Sequence, residues 1–124
     1  MIMDIHESGE MYLETILTLK NKNQYVRSID IANALNYSKP SVSRGMKILK
    51  EGNFITIDDK GYIEFTDEGY KLAQEVYNRH QALTQFLVLI GVDKEQAEND
   101  ACRIEHVISK ETYYCIAEFV KKQS

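Results

Sequence analysis

Apolar positions recur at helical spacing over most of the chain and switch once to strand alternation. Tyr12, Leu13, Ile16, Leu17 and Lys20 follow offsets of three and four behind Ser8, which predicts an amphipathic first helix capped by Ser8 and ended by the polar run 21–24. Ser28 opens a short second helix carrying Ile29, Ile31, Ala32 and Leu35, ended by Asn36 and Tyr37. Ser38 and Pro40 signal a third helix over 40–51, with Val42, Met46 and Leu49 on one face and Gly52-Asn53 as its stop. Ile55 and Ile57, then Ile63 and Phe65, alternate with polar residues across a turn at Asp59, Lys60 and Gly61, the pattern of a hairpin.

From Thr66 the helical period returns: Ala73, Val76, His80, Leu83, Leu87 and Ile90 form a stripe closed by Gly91. Asp93 can cap a helix running to about residue 108, and Ser109 a last one with Thr112, Ile116, Phe119 and Val120 on one face. This order predicts a mainly α protein with a small β-hairpin wing: a winged helix-turn-helix over 1–75, then an all-helical domain over 76–124.

A chain of 124 residues with 44% hydrophobic composition can bury one sizeable core and a helical extension. Its formal net charge of -4 excludes a protein that coats nucleic acid or an anionic membrane by charge alone, so any DNA contact must be local. Two well-separated cysteines, Cys102 and Cys115, fit free thiols in a reducing compartment. No apolar run approaches the roughly 18 residues of a membrane span, and residues 1–14 are too acidic for a secretory signal, so a cytoplasmic protein without a membrane partner is expected.

Local positive charge is concentrated on the third helix. Pro40, Ser43, Arg44 and Lys47 lie opposite its apolar face, and from Ser38 to Lys50 there are four cations and no acid. Arginine can pair bidentately with a guanine edge, the hydroxyls of Ser38, Ser41 and Ser43 can reach phosphate or base, and Lys39 and Lys47 supply charge to phosphates. Lys60 at the hairpin tip can reach a neighbouring phosphate. A cationic helix alone is a solvated face, but an acid-free window followed by a hairpin turns the reading toward double-stranded DNA.

A second constellation has metal-ligand chemistry. Cys102, Glu105 and His106 form C-x-x-E-H, whose offsets of three and four place thiolate, carboxylate and imidazole on one helical face. Glu98 falls one turn earlier, His80 projects from the apolar stripe of the preceding helix, and Met11 and Glu14 offer a thioether and a carboxylate from the first helix. Singly each has a duller role: Met11 as core filler, His80 as a hydrogen-bonded core histidine, Cys102 as packing, Glu14 and Glu98 as solvated charge. An enzyme using Cys102 as nucleophile and His106 as base would lack an orienting third group and an oxyanion hole, so neither catalysis nor an organic cofactor is expected.

The segments EMYLE (10–14), SKPSVSR (38–44) and DACRIEH (100–106) together resemble the iron- and manganese-dependent repressors of the diphtheria toxin repressor family, over essentially the whole chain. The resemblance implies a homodimer that binds operator DNA when Fe(II) or Mn(II) is bound, represses metal-homeostasis genes, and accepts Co(II), Ni(II) or Zn(II) in vitro. It implies that Met11, Cys102, Glu105 and His106 match the primary site of the iron-responsive branch, that His80 matches a histidine ligand used across the family, and that Glu14 matches a carboxylate of the short manganese-responsive members. Thr84 stands where the prototype has an acidic ancillary ligand, and the chain is expected to be a short form without the barrel-like third domain. Thiol and thioether donors lean the chemistry toward Fe(II). The alternative is a metal-independent winged-helix regulator responding to a small molecule, with His80 and Cys102 buried structurally.

Overall fold

A computed structural model describes residues 7–123, so the expectation about a leader lies partly outside them. Six helices and one hairpin follow in the order α1 Glu7–Lys22, α2 Ser28–Leu35, α3 Lys39–Glu51, β1 Ile55–Ile57, β2 Ile63–Phe65, α4 Asp67–Leu89, α5 Lys94–Ile104 and α6 Lys110–Lys122. They form two compact units, one ending at Gln74 and the other beginning at Glu75.

In the first unit α1, α2 and α3 pack on one another and β1 lies against α3. Leu13 and Ile16 of α1, Ile31 of α2, Val42, Met46 and Leu49 of α3, and Ile55 and Ile63 of the hairpin are all buried. Each such side chain contributes about 1.5 to 3 kcal/mol on leaving water, and the helical and strand periods place all of them on the inner side. α1 is already formed at Glu7, so Ser8 lies within it and is not its cap. α2 ends where Asn36 adopts a left-handed conformation, φ 57°, and the Tyr37 N–H donates to the Ala32 carbonyl at 3.0 Å. α3 begins with Ser38 as N-cap, its hydroxyl accepting from Ser41 N–H at 3.3 Å, and with Pro40 in the first turn.

The strands pair antiparallel with Ile55 opposite Phe65 and Ile57 opposite Ile63. The Asp58 carboxylate closes the turn by accepting from Lys60 N–H and Tyr62 N–H, both at 2.9 Å. Lys20, at the end of α1, donates to the Ile63 carbonyl at 3.1 Å and to Glu64 at 2.8 Å, tying the second strand to the helical core. Gly69, in the first turn of α4, fits so tightly under Phe54 that a Cβ there would lie 1.8 Å from the Phe54 carbonyl oxygen.

In the second unit the buried residues include Val76 and Leu83 of α4, Ala97 and Ala101 of α5, and Val120 of α6, while Phe86 meets Phe119 edge-on at 5.7 Å. Ala97 and Ala101 stand one turn apart, a small-residue pair that lets neighbouring backbone come close. α4 stops at Leu89 because Gly91 and Val92 N–H groups fold back on the Val88 and Leu87 carbonyls at 3.0 and 2.9 Å. Ile90 is therefore the cap residue, 59% exposed, and not the last member of the apolar stripe. Ser109 caps α6 through Thr112 N–H at 3.1 Å, as its position suggests, whereas Asp93 precedes α5 without a side-chain cap bond.

Candidate metal centre and nucleic-acid interface

The α5 helix ends at Ile104, earlier than the sequence pattern predicts. Glu105 keeps helical dihedrals (φ -58°, ψ -23°), but Val107 N–H donates to the Ile104 carbonyl at 3.0 Å, a tighter bond that curls the chain out of the helix. Glu105 and His106 thus sit on the turn that leaves α5, one turn beyond a half-buried Cys102.

Glu105, still on the helical path as the cap of α5, has its side chain turned inward and is 0% exposed. One carboxylate oxygen meets His80 Nδ1 of α4 at 2.9 Å, and the other meets Nε2 of His106, itself 3% exposed, at 3.2 Å. A buried carboxylate is costly unless positive charge or donors face it. Two imidazoles around one carboxylate form an oxygen and nitrogen donor set, which fits a divalent first-row cation.

Glu98 is placed differently. It is exposed on α5 and lines a cleft of about 590 Å³ with Gln81, Thr84 and Lys94, apart from the contacts that join His80, Glu105 and His106. Met11 and Glu14 lie one turn apart on α1, both half-buried, and the Tyr37 hydroxyl donates to Met11 Sδ at 3.7 Å.

On α3 the side opposite Val42, Met46 and Leu49 is solvent-facing: Lys39, Pro40, Ser43, Arg44, Lys47 and Lys50 are exposed and Ser41 is half-buried. Ser38 is exposed ahead of the helix, and Lys60 is exposed at the tip of the hairpin. Arg44 donates to Ser41 Oγ at 3.4 Å, and Ser38 to the same oxygen at 2.9 Å. Sequence reasoning missed Tyr12 and Tyr37 as neighbours of this face. The Tyr12 ring meets Tyr37 edge-on at 6.3 Å, and burial, followed by Tyr37, pushes its phenol above the ordinary value while Arg44 pulls the other way.

Residues 4–66 match the family model of the iron dependent repressor N-terminal DNA binding domain, and residues 66–123 match that of the iron dependent repressor metal binding and dimerisation domain. The chain belongs to the iron-dependent repressor family. Within it, the chain is 36% identical over 111 residues to the transcriptional regulator MntR of Salmonella typhimurium, covering 90% of this chain and 71% of that protein. The HTH-type transcriptional regulator MntR of Lysinibacillus sphaericus is 34% identical over 114 residues, covering 92% and 82%. The crystal structure of ScaR with bound Zn2+ superposes with a TM-score of 0.77 at 27% identity, over 91% of this chain and 53% of that one. This repressor-family chain therefore spans about half of that solved chain. Its mainly helical architecture with a two-stranded wing, its DNA-binding module and its metal-binding and dimerisation module are those of the family.

Proposed function

We propose that this chain is a homodimeric transcriptional repressor that binds operator DNA when Fe(II) or Mn(II) occupies a site built on Glu105, His80 and His106. The observation that carries the reading is the fully buried Glu105 carboxylate with an imidazole on each oxygen. Support for manganese comes from ScaR, described as a manganese-activated repressor; support for iron comes from the softer donors of Cys102 and Met11. We assign Met11, Glu14 and Cys102 to the same ligand set on their donor chemistry and on the family pattern, and Glu98 to an outer position.

When bound, the ion supplies a concentrated positive charge that carboxylate, imidazole, thiolate and thioether groups share. Glu105 and His80 are held for this by their mutual hydrogen bond, and the turn after Ile104 keeps His106 aimed at the same carboxylate. Val88, Leu89 and Phe119 are exposed apolar residues of the second unit, 43, 49 and 43% exposed, of the kind a second copy covers. A fixed dimer would hold two copies of α3 at one half-site spacing, each entering a major groove. The protein would act in the cytoplasm on genes of metal homeostasis.

Anaerobic titration calorimetry with Fe(II) and with Mn(II) tests the centre. Saturable binding by the native chain, lost in a Cys102→Ala, His106→Ala double variant, is expected, and the tighter ion gives the intrinsic preference. No heat from either ion with the native chain would overturn the metal reading and leave a metal-independent winged-helix regulator.

Arg44→Ala tests the DNA face independently. Loss of a base contact there is expected to weaken specific binding by about 1 to 3 kcal/mol, with metal affinity unchanged. Anisotropy titrations against a selected duplex and a scrambled one would show it; an unaltered preference between the two would remove Arg44 from base readout.

A further inference from the structure

Two sets of hydrogen bonds in the first unit, joined by the peptide link between Tyr37 and Ser38, connect the Met11 thioether to the exposed cationic face of α3. Tyr37 donates to Met11 Sδ at 3.7 Å, and Tyr37 immediately precedes Ser38, the N-cap of α3. Ser38 accepts from Ser41 N–H at 3.3 Å and donates to Ser41 Oγ at 2.9 Å, and that oxygen accepts from the Arg44 guanidinium at 3.4 Å. A parallel packing route runs beside it. Tyr12, next to Met11, has its ring edge-on to Tyr37 at 6.3 Å and pressed on α3, where a Cβ at Gly45 would come within 2.3 Å of the ring.

We infer that Tyr37 is a positioning residue through which the Met11 side chain sets the N-terminal turn of α3 and the direction of Arg44. The inference rests on the reading of Met11 as a metal ligand. A thioether held at one position presents its lone pair from one direction, and the phenol must follow it to keep its acceptor. Tyr37 is 42% exposed and sits in the tight connection between the left-handed Asn36 and Ser38, so that bond and the edge-on contact with Tyr12 together set its ring. Movement of Tyr37 carries Ser38 with it through the backbone. Ser38 cannot move without altering its two bonds to Ser41, and Ser41 is the oxygen on which Arg44 rests. With Met11 unrestrained, the same run is slack and Arg44 samples more directions.

Tyr37→Phe keeps the ring and removes only the bond to sulfur. The quantity to measure is the coupling factor, the ratio of duplex affinities with and without saturating Mn(II), taken by fluorescence anisotropy on a duplex selected with the metal-loaded native protein. The loss of one net hydrogen bond is expected to lower that factor roughly two- to ten-fold. Calorimetric Mn(II) affinity and the thermal transition of the free protein should stay at native values. A merely structural Tyr37 would weaken duplex binding equally with and without the ion, leaving the ratio unchanged, and that result overturns the inference. In a Met11→Leu background Tyr37→Phe should change nothing further; an undiminished effect there also overturns it. Failure of the underlying reading looks different, because the native protein itself would then show no metal dependence, or Met11→Leu would keep the full native ratio.

Discussion

Glu105→Gln is expected to abolish metal-dependent DNA binding while leaving the fold in place. The glutamine has the same shape and can still hydrogen-bond to His80, so the 0% exposed position stays filled and partnered. What it loses is the negative charge that offsets a divalent ion inside the protein. Loss of an outer-shell partner typically costs 10- to 100-fold in metal affinity, and a first ligand that gives up its charge should cost more than about 100-fold. A ligand shifts an equilibrium only by its differential affinity for the two states, so the DNA affinity of this variant with Mn(II) should fall to that of the metal-free native protein. Native Mn(II) affinity in Glu105→Gln, measured by calorimetry, would mean that the buried carboxylate serves packing and hydrogen bonding alone.

The second large effect is on stability. Alanine is a better helix former than glycine by about 1 kcal/mol, so on propensity alone Gly69→Ala in α4 would stabilise. The geometry reverses the sign: the added methyl would meet the Phe54 carbonyl oxygen at 1.8 Å and its carbon at 2.7 Å, both of them backbone. That oxygen accepts from Thr66 N–H at 3.1 Å, and Thr66 Oγ1 in turn accepts from Gly69 N–H at 3.0 Å. Relief by backbone movement would break both bonds, so a net loss of about 3 kcal/mol or more is expected. For a unit of this size that corresponds to a fall of more than about 10 °C in the midpoint of a thermal melt. A melt within about 2 °C of native would show that Phe54 can give way without strain.

Much of this architecture is legible in the residues. The third helix declares itself twice, by Ser38 and Pro40 at its start and by the offsets of Val42, Met46 and Leu49, all of which are buried. The hairpin follows from Ile55, Ile57, Ile63 and Phe65, and its turn lies where Lys60 and Gly61 predict it. Local pattern fails where tertiary geometry decides. Ile90 continues the apolar period, yet the fold-back at Gly91 turns it to solvent. Helical spacing puts Glu105 and His106 on α5, whereas the helix ends at Ile104 with Glu105 as its cap, and the meeting of Glu105 with His80 is a pairing across 25 positions that no periodicity encodes. Nothing in the neighbourhood of Gly69 or Tyr37 announces a carbonyl 1.8 Å from a missing methyl or a phenol 3.7 Å from a sulfur.

The contrast between the acid-free stretch from Ser38 to Lys50 and a chain of net charge -4 bears on how such a repressor would search a genome. Sequence-independent adhesion to DNA grows with the number of phosphates a protein neutralises. Here four of the fifteen cations cluster on one helix and the chain as a whole is net negative, so stretches that lack the right bases would hold it only briefly. Bulk chromosomal DNA would then be a shallow sink, and a small number of copies could stay free to respond when the concentration of metal changes.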